Sequence, residues 1–298
     1  MYPILFEIPG LGWPIRSFGV MVVLGFLLGT HLLTRWYQNS TEDPERHSDG
    51  LAALPVWVMI GVIFGARFAY VIVELVGNTP TGQAYKADPL SVLFIWQGGL
   101  VMYGGCFGSI LMGWLCLKKH KMPFQHTLDL ALVAGFFGLA IGRIGCLLVG
   151  DDFGSIVDPK YADWSFPLVL HVPETLRDGS LFGEANRGQV LWATQPWMTA
   201  NAAMLGFLGM RFLKTRKYAG QVALKLLLIY SVGRYVIEMF RGDSIRGLWD
   251  LGFTTQSTSQ LVSMGLFVTC AFLLWRNRSK REDGAAITGH ANTEPDAA

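Results

Sequence analysis

The sequence has 298 residues, of which 51% are hydrophobic and 15% are charged, and its formal net charge is +2. Soluble domains usually carry about 25% charged residues, so this composition indicates an integral membrane protein. A net charge this small does not favour nucleic acid as a partner. The four cysteines lie in apolar segments without a CxxC spacing, so they predict neither a disulfide framework nor a metal site.

Seven segments are long and apolar enough to cross a bilayer as helices, which requires about 20 residues. In chain order they cover approximately 18–37, 53–76, 92–117, 127–149, 190–213, 221–240 and 256–275. Their length and uniform apolarity favour helices over the alternating strands of a membrane barrel. The sequence therefore predicts an all-α integral membrane protein with about seven transmembrane helices in one domain, residues 1–275. No typical cleavable leader precedes the first span, which we expect to act as its own targeting signal.

Lysine and arginine are unevenly distributed over the connections between these spans. The connections after spans one, three, five and seven, with the adjoining span ends, carry 13 of them, and the opposite side carries seven. Because cytoplasmic loops are enriched in Lys and Arg, we expect a cytoplasmic C-terminus and an extracytoplasmic N-terminus. The polar connection 150–189 then forms a small extracytoplasmic head between spans four and five. Residues 276–298, which are mostly small and polar, are expected to be a disordered cytoplasmic tail.

The third predicted span contains IWQGGLVMYGGCFGSI, in which four glycines surround Tyr103. The glycines are Gly98, Gly99, Gly104 and Gly105. Each glycine weakens a helix by roughly 1 kcal/mol relative to alanine, which indicates that the backbone must pass close to another group. Two explanations remain open: a tight crossing of two helices, or an opened helix that lines a lipid site and presents the Tyr103 hydroxyl to it.

The fourth predicted span ends in GRIGCLLVGDDFG, with Arg143 near its outer end. Arginine binds phosphate in a bidentate manner and stays charged in any pocket. Cys146 lies three residues later on the same helix face, where an isolated cysteine usually has a packing role. Asp151 and Asp152 open the predicted head, and we expect them to pair with an arginine or to cap local structure.

The end of the sixth predicted span, YSVGRYVIEMFRGD, carries a polar stripe. The stripe follows steps of four, four and three residues and consists of Tyr230, Arg234, Glu238 and Arg241. On a helix, Arg234 and Glu238 can pair directly. The stripe indicates either a buried pair that fixes helix register or a cavity wall whose arginines receive an anion. Together with Arg143 on another helix, Arg234 favours a phospholipid headgroup at the outer interface.

Four other ionisable residues fall within or near the predicted spans, where an unpaired charge costs several kcal/mol. They are Arg67, Glu74, Asp129 and Lys225. The last three lie near span ends and are expected to have structural roles. Arg67 lies nearer the middle of its span and either pairs structurally or lines a cavity.

Together, these motifs resemble the prolipoprotein diacylglyceryl transferase family. The matching stretches, in order over roughly residues 10–275, are GGLVMYGG, GRIGCLLVGDDFG, TQPW and YSVGRYVIEMFRGD, with GARFAYV and Gln260 in addition. Tyr103 in the glycine-rich motif and Cys146 after GRIG resemble one branch of the family, whereas many members have histidine and asparagine there. Phe18 stands in place of the tyrosine of a WYG motif, and Met198 in place of the acid of a QLYE motif.

The resemblance implies a multi-pass enzyme of the bacterial inner membrane, without a metal or a soluble cofactor. Such enzymes transfer the diacylglyceryl group of phosphatidylglycerol to the lipobox cysteine thiol of a prolipoprotein, the first step of lipoprotein maturation, and release glycerol phosphate. Arg143 and Arg234 would hold the phosphate, and Glu238 would orient Arg234. Tyr103 would accept the thiol proton or position the lipid. The substrate-binding set implied here is Arg143, Cys146, Gly154, Tyr230, Arg234, Arg241, Gly98, Gly99, Gly104 and Gly105.

Two other functions remain open at this point. A relative that binds phospholipid without turning it over would keep the arginines, and the replacement of the family's tyrosine and glutamate by Phe18 and Met198 favours it. A transporter would use the same intramembrane charges, although the sequence shows no visible internal repeat.

Overall fold

The computed structural model describes residues 1–7, 9, 10, 12–41, 43, 45–95, 98–242, 247–250 and 255–282, and these are mostly helical. The elements in chain order are β1 (Ile4–Glu7), β2 (Pro14–Arg16), α1 (Ser17–Gln38), α2 (Ser48–Val76), α3 (Pro80–Ala87), α4 (Met102–Lys119), α5 (Phe124–Val149), β3 (Val169–His171), β4 (Val190–Trp192), α6 (Thr194–Thr215), α7 (Gln221–Glu238), β5 (Leu248–Asp250), β6 (Thr255–Ser257) and α8 (Thr258–Arg276). The strands form three antiparallel pairs, β1 with β2, β3 with β4 and β5 with β6.

The helices agree with the membrane class indicated by the composition. Within the described residues, four helices are long and apolar enough to cross a membrane, namely α1, α2, α5 and α8. Three further helices, α4, α6 and α7, have at least 18 residues each. The fold is therefore that of an all-α membrane protein with short strands between its helices.

Two predicted spans begin later than expected. The third was predicted from residue 92, but α4 begins at Met102, after a 3₁₀ turn at Pro89–Leu93. Gly98 and Gly99 have φ values of +88° and +77°, which a right-handed helix excludes. The fifth was predicted from residue 190, but Val190–Trp192 pairs with β3 before α6 begins. Apolar residues before a helix look the same in sequence whether they extend the helix or form a strand.

The chain groups into two compact units, one of Met1–Trp36 with Leu128–Ala298 and the other of Tyr37–Thr127. In the second unit, α2 and α4 pack through glycines. A Cβ atom on Gly104 would overlap the Gly65 carbonyl oxygen and the Ala69 methyl group, and one on Gly105 would lie 3.3 Å from the Val62 carbonyl oxygen. Of the two explanations for the glycine-rich motif, the tight helix crossing is the one observed at Gly104 and Gly105.

Arg67, on α2 of the second unit, holds the segment that leads into α4. Its Nε donates to the Val92 carbonyl at 2.8 Å, and its Nη1 donates to the carbonyls of Gly98 and Gly99 at 2.7 and 3.2 Å. Its guanidinium carbon also lies 5.6 Å from the centroid of the Tyr70 ring. Arg67 is thus buried in a structural role, one of the two roles expected for it.

In the first unit, α5, α6 and α7 share a core. Its buried members are Val133, Phe136, Ala140, Ala202, Leu205, Val222 and Leu226. Gly209 of α6 lets that helix approach α5, because a Cβ at this position would lie 2.6 Å from a methyl carbon of Val133. Because the three helices pack this closely, side chains that follow the core residues on the same helix faces have fixed directions toward the helix ends.

At one end of this core, Asp129 of α5 caps α7. Its carboxylate accepts hydrogen bonds from the backbone nitrogens of Gly220 and Ala223 at 2.9 and 2.8 Å and from Arg216 at 3.2 Å. The residue preceding α7 is Gly220, which has no side chain with which to cap the helix. Asp129 therefore has the structural role expected from its position near a span end.

The chain after α8 returns to the loop between α6 and α7. The backbone nitrogen of Glu282 donates to the Lys217 carbonyl at 2.8 Å, and its carboxylate accepts from the Ala219 nitrogen at 2.9 Å. The rest of the predicted tail, residues 283–298, lies outside the described residues, and its disorder stays a prediction.

Candidate functional site

The site lies at the end of the α5–α6–α7 core opposite Asp129. On α5, Arg143 stands three residues after the core residue Ala140. On α7, Arg234 stands one turn after Tyr230, whose side chain packs against the same core. Both arginines therefore lie on helix faces that point toward the shared core, and their side chains line one pocket.

We call this narrow space the diarginine pocket; its cavity volume is about 10 Å³. It is lined by Leu139, Arg143, Met198, Asn201, Tyr230, Arg234 and Ile237. Two guanidinium groups at one wall, with apolar and neutral polar side chains around them, suit an anionic group attached to an apolar body.

The two terminal nitrogens of the Arg234 guanidinium group differ: Nη2 has partners, whereas Nη1 is a buried donor without one among the described residues. Its Nη2 lies 2.8 Å from Oε2 of Glu238, one turn later on α7, and donates to the Ser259 hydroxyl at 3.1 Å. The ion pair expected from the four-residue spacing is therefore present. The Nη1 atom is buried and has no hydrogen-bond partner among the described residues. A buried donor without an acceptor is costly, so this atom favours a ligand oxygen in the pocket.

Arg143 is held by a carboxylate from the turn after α5. Its Nη1 pairs with Oδ2 of Asp152, and Arg241 donates from Nη2 to Oδ1 of the same carboxylate at 2.5 Å. Nη1 of Arg241 lies 3.8 Å from Oε2 of Glu238. These contacts link Arg143, Asp152, Arg241, Glu238 and Arg234, and we call this set the ion network.

The ion network joins groups of opposite charge. Among the described residues, its members are three arginines and two carboxylates. Burial raises the pKa of Asp152, but Arg143 and Arg241 outweigh burial and hold the pKa below its usual range. Asp152 is therefore ionised at neutral pH and pairs with both arginines as an anion.

The turn that carries Asp152 is fixed by the start of α6. The Thr194 hydroxyl donates to the Asp152 carbonyl at 2.7 Å, and Nε2 of Gln195 donates to the Asp151 carbonyl at 2.9 Å. Thr194 and Gln195 are fully buried. Asp152 itself has a φ of +53°, a conformation that aspartate tolerates better than most residues. The TQ pair of the TQPW motif thus positions the acidic turn.

Gly154 brings Arg241 to this turn. Gly154 and Arg241 form an isolated antiparallel bridge, and Ser155 donates its backbone nitrogen to the Phe240 carbonyl at 2.7 Å. A Cβ atom at Gly154 would overlap the Trp192 carbonyl oxygen. A side chain at this position would push the turn away from β4, so the glycine keeps the turn that follows Asp152 close to Trp192.

A family model described as prolipoprotein diacylglyceryl transferase matches residues 3–276. The chain belongs to this family.

Relatives named phosphatidylglycerol–prolipoprotein diacylglyceryl transferase match most of the chain. The one from Gloeobacter violaceus is 30% identical over 275 residues, which covers 91% of this chain and 93% of the relative. The one from Neisseria meningitidis serogroup C is 29% identical over 274 residues, or 89% and 92% of the two chains. The one from Halalkalibacterium halodurans is 26% identical over 269 residues, or 88% and 82%.

Several residues that the resemblance to the transferase family singled out lie together in the first unit. Arg143, Tyr230 and Arg234 line the diarginine pocket. Cys146 lies beside them, with its sulfur 3.9 Å from Nη1 of Arg143. Glu238 and Arg241 belong to the ion network, and Gly154 supports it from the backbone.

The remaining residues of that prediction lie in the second unit. Tyr103 is half-buried in the first turn of α4. Gly98 and Gly99 precede this helix, and Gly104 and Gly105 follow Tyr103 within it. Their roles in the transferase reaction stay predictions.

Sequence reasoning did not place Met198 or Asn201 in the diarginine pocket, and it did not show the connecting role of Asp152. Met198 and Asn201 line the pocket from α6, and Asp152 joins two arginines of the ion network. Asp152 had been expected to pair with an arginine or to cap local structure. The available signal for Met198 and Asn201 was their three-residue spacing directly after TQPW, within the first turns of α6.

Proposed function

We propose that this chain transfers the diacylglyceryl group of phosphatidylglycerol to the cysteine thiol of a prolipoprotein. The names of its relatives support this function over most of the chain. Within the site, the observation that supports it most is the buried Nη1 of Arg234, which lacks a partner among the described residues and belongs to a side chain that lines the diarginine pocket with Arg143. A phosphodiester oxygen meets the needs of that donor.

The chemistry assigned to the site is a displacement at carbon. The acceptor sulfur, as thiolate, forms a bond to the glycerol carbon that carries the phosphate, and the bond from that carbon to the phosphate oxygen breaks. Glycerol phosphate leaves with one more negative charge than the diester had, and the thiol proton passes to a base, to water or to the leaving phosphate. Arg143 and Arg234 stabilise the charge that grows on the leaving group.

Tyr103 acts on the lipid or on the acceptor thiol in this proposal. The two roles are separated by comparing Tyr103→Phe with Tyr103→His. Full activity of the Phe variant would exclude the hydroxyl as the proton acceptor. A loss with Phe that His restores would assign proton transfer to this position.

The proposal includes the membrane arrangement. Seven spans cross the bacterial inner membrane, with the N-terminus outside, the C-terminus in the cytoplasm and residues 150–189 as an extracytoplasmic head between spans four and five. The uneven distribution of Lys and Arg supports this orientation. The diarginine pocket then lies toward the outer leaflet, and the acceptor is the lipobox cysteine of a prolipoprotein signal peptide.

A second function, binding of phospholipid without transfer, is favoured by one observation. Met198 stands in place of the acid of the family's QLYE motif. It is buried and lines the diarginine pocket. A thioether supplies neither charge nor proton transfer there.

One cellular experiment separates the two functions. The chain is expressed in bacteria depleted of their own transferase, and the mass of a reporter prolipoprotein is measured. A diacylglyceryl mass gain that Arg143→Ala abolishes supports transfer. An unmodified reporter, despite membrane expression of the chain and retained binding of phosphatidylglycerol, would leave only the binding function.

A further inference from the structure

We propose that Asp152 and Arg241 are a pair of positioning residues that sets the placement of Arg143 relative to Arg234. This inference rests on the proposed function, because it concerns how the same site holds a phosphodiester. It differs from the prediction that Arg241 contacts substrate. Arg241 acts through two carboxylates, and Asp152 acts through two arginines.

The first support is the order of contacts in the ion network. Arg143 and Arg234 come from different helices, α5 and α7, and each pairs with its own carboxylate, Asp152 and Glu238 respectively. Arg241 contacts both carboxylates, at 2.5 Å and 3.8 Å. Within the described part of the chain, Arg241 therefore connects the Arg143–Asp152 pair to the Arg234–Glu238 pair.

The second support is the location of the pair behind the diarginine pocket. The described residues that line the pocket include Arg143 and Arg234 but neither Asp152 nor Arg241. The Arg241 residue is 8% exposed, and its side chain is occupied by carboxylates. A ligand in the pocket thus meets the two lining arginines, whose directions depend on the pair behind them.

The third support is that both members of the pair are fixed by backbone contacts. Thr194 holds the carbonyl of Asp152, as described above, and the bridge to Gly154 holds the main chain of Arg241. Gly242 adds a hydrogen bond from its nitrogen to the Phe153 carbonyl at 3.1 Å. Side chains anchored in this way serve as rigid supports for the arginines that they contact.

The Asp152→Asn variant tests the proposal, because two possible roles of Asp152 predict opposite changes in lipid binding. One role is to position Arg143, and the other is only to add a negative charge near the pocket. Asp152→Asn removes a negative charge beside an anion site, so charge alone would tighten the binding of phosphatidylglycerol. Loss of placement weakens it, because Arg143 and Arg241 lose their shared partner and repel each other. We expect Asp152→Asn to need at least about tenfold more phosphatidylglycerol for the same rise in melting temperature, because removing one partner of a buried charge pair weakens binding by more than a factor of ten.

Binding is measured as the rise in melting temperature on adding phosphatidylglycerol, with phosphatidylcholine as the reference lipid. Four variants are compared: Asp152→Asn, Arg241→Gln, the double variant and Thr194→Val. We expect the double variant to bind no more weakly than the weaker single one, because the two residues act as a unit. Thr194→Val changes no charge and should weaken binding less, in the same direction. Arg187→Gln, which opens an exposed ion pair with Glu184, is the matched control and should bind as the unchanged chain does.

Two results would overturn the inference: equal or tighter binding by Asp152→Asn, or losses that multiply in the double variant. Melting without lipid shows whether each variant is folded, and Thr194→Val keeps the test decisive if Asp152→Asn does not fold. The measurement needs no acceptor peptide. Absence of transfer by the unchanged chain would therefore count against the proposed function alone.

Discussion

Arg234 and Glu238 form an ion pair across one turn of α7, with 2.8 Å between Nη2 and Oε2. The Glu238 residue is only 1% exposed, and its carboxylate lies next to Arg234 and Arg241. Nη1, the other terminal nitrogen of Arg234, is buried and has no hydrogen-bond partner among the described residues, and the side chain lines the diarginine pocket. The ion pair thus fixes the guanidinium group to which the proposed function assigns the phosphate.

Glu238→Gln tests this relationship. The variant keeps the shape of the side chain and removes its charge, so Arg234 and Arg241 lose a common partner. We expect transfer, measured as kcat/KM with phosphatidylglycerol, to fall by about a hundredfold or more, because breaking a buried pair costs about 3–5 kcal/mol. Glu184→Gln removes the exposed carboxylate partner of Arg187 and should change neither activity nor melting. Wild-type kinetics in Glu238→Gln would exclude an orienting role for this carboxylate.

Asp129→Asn should affect stability far more than activity. The buried carboxylate accepts two backbone hydrogen bonds at the start of α7 and pairs with Arg216. Its loss is expected to lower stability by about 3 kcal/mol, seen as a lower melting temperature. Asp129 lies 14 residues before Arg143, or roughly 21 Å along α5. Activity per folded molecule should therefore stay within twofold of the unchanged chain, and a large fall in kcat at unchanged melting would contradict this assignment.

Arg67→Lys should disturb the segment that precedes Tyr103. Lysine cannot reproduce hydrogen bonds in several directions to Val92, Gly98 and Gly99. Hydrogen bonds to a charged group contribute about 1.5–3 kcal/mol each, so we expect a lower melting temperature and transfer reduced by about tenfold. Arg187→Lys provides an exposed control. If Arg67→Lys melts and transfers as the unchanged chain does, these hydrogen bonds do not organise the glycine-rich segment.

The pH dependence of the ion network follows from the direction of the Asp152 pKa. The folded pKa lies below that of an ordinary aspartate, because Arg143 and Arg241 outweigh the effect of burial. The stabilisation from Asp152 is therefore fully present above the unfolded pKa, about 3.9, and is lost as the pH falls through the folded value. The melting difference between the unchanged chain and Asp152→Asn should be constant from pH 7 to about pH 5 and shrink below about pH 4. A difference that disappears between pH 7 and pH 5 would show that Asp152 is not held by the two arginines.

Local spacing predicted part of the fold and of the site. Apolar length was enough to find the long helices but not the short α3, and a four-residue interval was enough to pair Arg234 with Glu238. These features repeat with the geometry of a single helix, so the sequence displays them directly. The late start of α4 was not readable in the same way, because only the observed φ values of Gly98 and Gly99 show that the helix has not yet begun.

Contacts between distant segments account for what sequence reasoning missed. Asp152 reaches Arg241 only because the main chain around Gly154 bridges to the chain after α7. Thr194 fixes the same turn from a third segment. The distances between these residues along the sequence do not indicate that they meet in the structure. Three separate backbone segments have to be placed before the carboxylate is seen to join two arginines.

The central claim is tested most directly by the mass of a lipobox peptide after incubation with the purified chain and phosphatidylglycerol. We expect the unchanged chain to add one diacylglyceryl group to the peptide thiol and to release glycerol phosphate, and Arg143→Ala to add none at a measurable rate. A peptide with serine in place of the cysteine serves as the control and should stay unmodified. No mass gain with the folded, lipid-binding chain, or an undiminished gain with Arg143→Ala, would contradict the account.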